Sequence, residues 1–157
     1  ATMTDEGTQR KGDATLRLFA PLVDRTWVAE GDGPMGKYTC ERRFERVLQR
    51  KYVRMTVTWD LGEKTYEETA MFGRDPREKR LEFWSFQSDG KNSHGVCVAA
   101  DDAPDGAVVF EAQMPAGLAR LVMWLTDDRE RLRVAVESHS KKGWNRFLDQ
   151  SHVPQEG

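Results

Sequence analysis

The sequence is short of cysteine, histidine and net charge, and each shortage excludes a class of protein. Two cysteines among 157 residues are too few for the disulfide framework of a small secreted protein. The three histidines are scattered, without the close spacing of metal ligands, so we expect no metal site. Because 24 Lys and Arg nearly balance 26 Asp and Glu, we expect neither a nucleic acid nor an anionic membrane surface as a partner.

Long apolar runs and signature motifs are also missing. No stretch approaches the roughly 20 residues of a membrane-spanning helix, and residues 1–11 carry no apolar signal core. There is no P-loop, nucleophile elbow or dinucleotide fingerprint, so we expect no cofactor and assign no catalytic residue. A reduced cytoplasmic protein is the expectation, with Cys40 and Cys97 as free thiols. The length predicts one domain over residues 13–157, after a flexible segment over 1–12.

What the sequence has in quantity is aromatic and β-branched residues in period-2 alternation, which is typical of strands. Short loops containing Asp-Gly and other glycine turns separate these segments and indicate antiparallel hairpins. A meander this long is expected to close into a barrel, because an open sheet would expose two edges. Apolar residues at helical spacing between 16 and 23 predict one short N-terminal helix, capped by Asp13 and ended by Pro21. The ten predicted strands lie near 26–31, 37–48, 52–59, 64–73, 80–87, 93–100, 107–113, 118–126, 131–139 and 144–153.

Alternation also separates an apolar face from a charged face within each strand. A sheet that is wetted on one side only shows this pattern, so the charged residues form the outer coat of the barrel. The residues assigned to the interior in three of the strands are Tyr38, Cys40, Arg42, Phe44, Val53, Met55, Val57, Trp59, Leu132, Val134, Val136 and Ser138.

Four short segments together resemble a bacterial family of uncharacterised lipocalin-like (calycin) proteins, a domain of unknown function. The resemblance spans residues 13–153 and implies an all-β, roughly ten-stranded calycin barrel in which Trp27 plugs the closed end. Asp24-Arg25 departs from the family pattern, in which a glycine is common before the Thr-Trp pair. The segments are 18–31 (LFAPLVDRTWVAEG), 71–76 (MFGRDP), 81–90 (LEFWSFQSDG) and 142–144 (KGW).

A second resemblance is to small ten-stranded barrels that bind haem through a histidine on a late strand. Their first strand reads G-T-W-x-G-x-G, which residues 26–31 match in part. The resemblance would make His94, His139 or His152 an axial ligand, although the C-terminal histidine signature of that family is not matched.

Polar residues that interrupt the inner face are the candidates for function. Arg42 lies between Cys40 and Phe44, and a buried charge there must be paired. Arg42 either holds an acidic ligand group in a bidentate fork or forms an internal ion pair with Glu68, unless one of the two points outward. Gly95 predicts a bulge that aims His94 into a cavity as an acid or base. The predicted ligand-binding residues are Arg42, Trp59, Glu68, Trp84, His94 and Trp124.

Three functions remain open from the sequence. A barrel of more than eight strands usually leaves a ligand-sized interior, so the leading hypothesis is binding of a small, mostly apolar molecule, with Arg42 available to an acidic group. The second is an isomerase- or hydrolase-type enzyme that uses Glu68 or His94 as a base in the same cavity. The third is an interaction module whose barrel is filled and whose partners bind its outside.

Overall fold

The computed structural model describes residues 16–17, 19–33 and 36–155, and in this part of the chain ten antiparallel strands form one closed barrel. Each strand pairs with its neighbours in sequence, and β1 pairs with β10 to close the wall. The meander predicted from alternation and short turns is therefore confirmed. The strands are β1 (Arg25–Gly33), β2 (Gly36–Val47), β3 (Tyr52–Asp60), β4 (Thr65–Arg74), β5 (Leu81–Gln87), β6 (Asn92–Cys97), β7 (Val108–Met114), β8 (Gly117–Leu125), β9 (Leu132–Ser140) and β10 (Gly143–Pro154).

The sixth strand is the one that differs most from its prediction. We expected it to run to residue 100, whereas β6 ends at Cys97. The following loop crosses the outer face of β7, β8 and β9, where Val98, Ala100, Ala103 and Ala107 pack on a second, small core. Val98 and Ala100, two of the apolar residues that suggested a longer strand, belong to this loop and are partly buried against the second core. The second core consists of Val109, Val122 and Ala135.

The N-terminal residues that are described form a turn at one end of the barrel. Leu16 and Arg17 are helical, but the predicted cap Asp13 and the segment 1–12 lie outside the described residues. The amide of Leu22 donates to the carbonyl of Phe19 over 2.8 Å. Leu22 in turn accepts a hydrogen bond from the indole Nε1 of Trp27 over 3.2 Å, and Trp27 is fully buried. Trp27 and this turn cover the end at which β1 begins.

Side chains fill the barrel interior at the end covered by the N-terminal turn, and the interior is emptier at the opposite end. Five phenylalanines form an aromatic cluster with ring centroids 4.8 to 6.2 Å apart. Such contacts between rings fill the barrel near the covered end. Toward the opposite end, inward positions carry smaller or polar side chains such as Ala70, Ser85 and Ala112. The aromatic cluster consists of Phe19, Phe44, Phe72, Phe83 and Phe110.

The predicted inward face is confirmed in β2, β3 and β9. Its members are buried or pack partly buried against the core, apart from Val136, which lines the interior cavity, and Ser138, which is exposed near the end of β9. No helix among the described residues is long and apolar enough to cross a membrane.

Candidate functional site in the barrel interior

A cavity of about 380 Å³ occupies the emptier half of the barrel, and we call it the main cavity. Its volume lies within the usual range for small-molecule sites, and its wall is mainly apolar with a few polar groups. Three of the predicted ligand-binding residues, Arg42, Trp59 and Glu68, line it. The aromatic cluster contributes Phe83 and Phe110 to its floor.

Arg42 is the most buried charged residue in this wall, with only 3% of its surface exposed. Its Nε donates to Nε2 of His152 over 3.2 Å, and its Nη2 donates to Oε1 of Gln150 over 3.2 Å. The third contact is from Nη1 to the sulfur of Met55 over 3.5 Å. All three acceptors are uncharged groups.

His152 is held as a neutral acceptor for Arg42. Its Nδ1 lies 3.2 Å from the carbonyl oxygen of Leu132, which can only accept, so Nδ1 carries the proton and Nε2 has the lone pair that faces Arg42. Burial, and secondarily the charge of Arg42, lowers the pKa of His152 to about 3. The imidazole is therefore neutral near pH 7 and adds no second positive charge to the site.

No carboxylate neutralises Arg42 within the described residues: none has an oxygen within 4.0 Å of the guanidinium. The expected alternative of an ion pair with Glu68 is thus not formed. In the strand register Arg42 pairs with Val57 and Val57 pairs with Glu68, so one strand lies between the two charged residues. Two strand spacings put the Cα atoms of Arg42 and Glu68 about 10 Å apart.

The guanidinium keeps unused donors as well as unneutralised charge. A guanidinium has five N–H groups, and the three contacts of Arg42 leave one on each Nη nitrogen. A thioether is moreover a weak acceptor, so the bond to Met55 is easily replaced. A buried cation without a counter-ion costs several kcal/mol, and an anion placed in the cavity would lower that cost.

Tyr66, Gln87 and Glu68 are partly buried polar residues in the wall of the main cavity, on the strands β4 and β5. The hydroxyl of Tyr66 donates to Oε1 of Gln87 over 2.7 Å and lies 3.3 Å from Asp89. Burial, followed by the charge of Asp89, raises the pKa of Tyr66 to about 12, so the phenol stays protonated. Glu68 is half-buried beside it, while the ring of Trp59 packs 5.3 Å from the ring of Tyr38.

The structure places Trp84 and His94 on the outer face of the barrel, not in the main cavity as expected. Leu81, Phe83 and Ser85 are the inward residues of β5, so Trp84 points outward and stacks on His94 with 5.5 Å between ring centroids. His94 lies 2.5 Å from Glu82 there and is half exposed.

Gly95 does not bend β6 toward the interior. The pairing of β5 with β6 runs through Gly95 without a register shift. A Cβ atom at this position would lie 2.2 Å from the ring of Phe83 and 2.7 Å from the carbonyl oxygen of Glu111. The glycine makes room for Phe83, which explains why the sequence carries it.

Trp124 also lies outside the main cavity. It packs on the small second core, with the guanidinium groups of Arg133 and Arg146 at 5.4 and 5.5 Å from its ring. Trp84 and Trp124 thus pack on the outer face because parts of that face are themselves apolar.

Sequence analysis missed Gln150 and the part that His152 plays. Both faces of β10 mix polar and apolar residues, so alternation does not show which face is inward. A bulge between Arg146 and Leu148 also shifts the register partway along the strand. The remaining sequence signal was Leu148, because an apolar residue on the same face as Gln150 and His152 indicates that this face points inward.

The three histidines do not fit a haem site in the described part of the chain. Both ring nitrogens of His152 are hydrogen-bonded, His94 is on the outer face, and His139 is exposed beside Trp144. None of them presents a ring nitrogen to the main cavity, as an axial ligand would need to do.

A comparison of the sequence with models of known protein families gives no match, and a comparison with curated proteins gives none either. The fold and the site therefore define a class on their own: a closed antiparallel barrel of ten strands, compatible with a calycin-like fold, with an interior cavity. The particular feature of this chain within that class is a buried arginine held only by uncharged acceptors.

Proposed function

We propose that the protein is a lipocalin-like binder of a small, mostly apolar molecule that carries a carboxylate, with the carboxylate against Arg42. The observation that carries this proposal is the buried, unneutralised guanidinium in the wall of the main cavity. Its two unused N–H donors suit the two oxygens of one carboxylate. The free thiols Cys40 and Cys97 favour a reducing compartment such as the cytoplasm.

The rest of the wall supports an apolar body for the ligand. Met55, Phe83 and Leu121 line the main cavity and provide surfaces from which a hydrocarbon group would exclude water. The enzymatic alternative is weakened, because His94 lies outside the cavity and only Glu68 of the two proposed bases lines it. The cavity also argues against a filled barrel that serves only as an interaction module.

The proposal is tested by letting hexanoate or hexanol displace an environment-sensitive apolar dye from the protein. The two competitors differ only in the head group. Two charge-assisted hydrogen bonds, less the cost of desolvating the carboxylate, are worth about 3 kcal/mol, or a roughly 100-fold preference for hexanoate. Arg42→Met is expected to abolish this preference.

Arg43→Met is the matched control, because Arg43 is the next residue of β2 and its side chain is 59% exposed on the outer face. It is expected to keep the preference of the wild type. The proposal fails if hexanoate and hexanol bind the wild type equally, or if neither displaces the dye. Thermal unfolding of each variant verifies that Arg42→Met is folded before binding is compared.

A further inference from the structure

The wall of the barrel is open along part of the line where β1 meets β10, and we call this line the β1–β10 seam. The two strands pair at Trp27 with Pro154 and at Val28 with Val153, and the described residues show no ladder pair beyond Val28. β1 nevertheless continues to Gly33, and its other edge stays paired with β2 to the end. The seam therefore opens toward the end of the barrel that the N-terminal turn does not cover.

A second space of about 490 Å³ lies in this opening, and we call it the side chamber. Residues of both strands line it, with Asp32 and Gly33 from β1 and Leu148 and Asp149 from β10. It shares three residues with the main cavity, so the two spaces adjoin. The shared residues are Trp59, Phe147 and Leu148.

Each of the two strands has a local irregularity beside the open part of the seam. On β10, the register shift between Arg146 and Leu148 makes Phe147 an extra residue in the strand. On β1, the ring of Tyr38 lies over Gly31, where a Cβ atom would be 2.6 Å from the Tyr38 hydroxyl. The Tyr38 ring thus fills the position of a side chain on β1 and lines the side chamber.

Phe147 lies at the boundary between the two spaces. It is 66% exposed, which is unusual for a phenylalanine, and it lines both the main cavity and the side chamber. Arg42 pairs with Trp27, at the level where the seam is still closed. A ligand whose head lies at Arg42 would therefore pass Trp59 and Phe147 on its way out through the open part of the seam.

We infer that the side chamber is a subsite for the far end of an elongated, unbranched carboxylic acid, and that Phe147 determines the length of chain the protein accepts. This inference rests on the proposed function, because it takes the carboxylate to lie at Arg42. The main cavity holds the head and the first part of the chain. The remainder crosses the boundary at Phe147 and lies against Tyr38, Trp59 and Leu61 in the side chamber.

The test measures displacement of the same dye by hexanoate, decanoate and palmitate in the full chain. In the wild type, each methylene that gains a buried position raises affinity about fourfold. Phe147→Trp enlarges the ring at the boundary and is expected to weaken palmitate at least about tenfold more than it weakens hexanoate. Phe147→Ala is expected to bind palmitate at least as tightly as the wild type.

Phe86 offers the matched control, since it is 60% exposed on the outer face of β5 and lines neither space. Phe86→Trp and Phe86→Ala are expected to leave the length preference unchanged. Equal weakening of hexanoate and palmitate by Phe147→Trp, or no weakening of either, overturns the inference while hexanoate binding through Arg42 still stands. If no acid displaces the dye from the wild type, the proposed function itself fails.

Discussion

Acidification is expected to destabilise the barrel through His152, in a pH range where carboxylates contribute little. The pKa of the buried imidazole is about 3 instead of the ordinary 6.5. The unfolded chain therefore binds one more proton at this position between pH 6.5 and 3, so stability falls as the pH is lowered through this range. The slope is about 1.4 kcal/mol per pH unit once the unfolded imidazole is fully protonated.

Integrated from pH 8 to pH 5, this linkage removes about 2 kcal/mol from the free energy of unfolding. The carboxylates with lowered pKa values, among them Asp75, Asp102 and Asp128, start from an ordinary value of 3.8. Their contributions are present above that value and are lost only as the pH falls below about 5. The interval from pH 8 to pH 5 therefore isolates the histidine.

Urea unfolding, followed by tryptophan fluorescence at several pH values, measures this dependence. His152→Gln removes the titration while its amide can still accept from Arg42 and donate to Leu132, so its stability is expected to change little over the interval. His139→Gln, at an exposed position, is the control and should retain the slope of the wild type. A wild-type stability that is flat from pH 8 to pH 5, or a His152→Gln variant that keeps the slope, would refute the reasoning.

Three further changes test the placement of other side chains. Gly95→Ala is expected to lower the free energy of unfolding by about 1–3 kcal/mol, because the new methyl group overlaps the ring of Phe83; urea unfolding measures this. Glu137→Ala removes the 2.6 Å partner of the buried guanidinium of Arg120, which keeps Asp102 as a counter-ion, and is expected to cost about 2 kcal/mol in the same assay. Trp84→Ala, on the outer face, is expected to leave hexanoate affinity unchanged in the dye assay, and a loss of affinity above tenfold would contradict its placement.

The closed barrel and Arg42 could be predicted because both depend on a two-residue period. Between Tyr38 and Glu45 the apolar and charged faces of β2 are cleanly separated, so the one charge on the inner face of that stretch, Arg42, stood out. Glu68 and Trp59 were placed in the cavity by the same reasoning, and both line it. In these strands the solvent wets one face only, and the sequence pattern follows from that.

Alternation does not identify the inward face of a strand when both faces are buried or when both faces mix polar and apolar residues. The loop after β6 buries the outer face of β7 to β9, so Trp124 could be assigned to either side. Trp84 is similarly ambiguous, because β5 is apolar on both faces. In β10 the inserted Phe147 changes which residues face inward, and a bulge of this kind depends on the partner strand, not on local sequence.

The positions of the Arg42 partners in the chain determine when the site forms during folding. Its acceptors His152 and Gln150 lie 110 and 108 residues further along the chain, on the strand that closes the barrel. Contacts of such high sequence separation form late, because a long loop must be closed before they stabilise the chain. Until β10 is in place, the guanidinium remains in water, where a carboxylate gains little from it. The arginine thus becomes a strong anion site only in the finished barrel, so partly folded chains should not sequester the ligand.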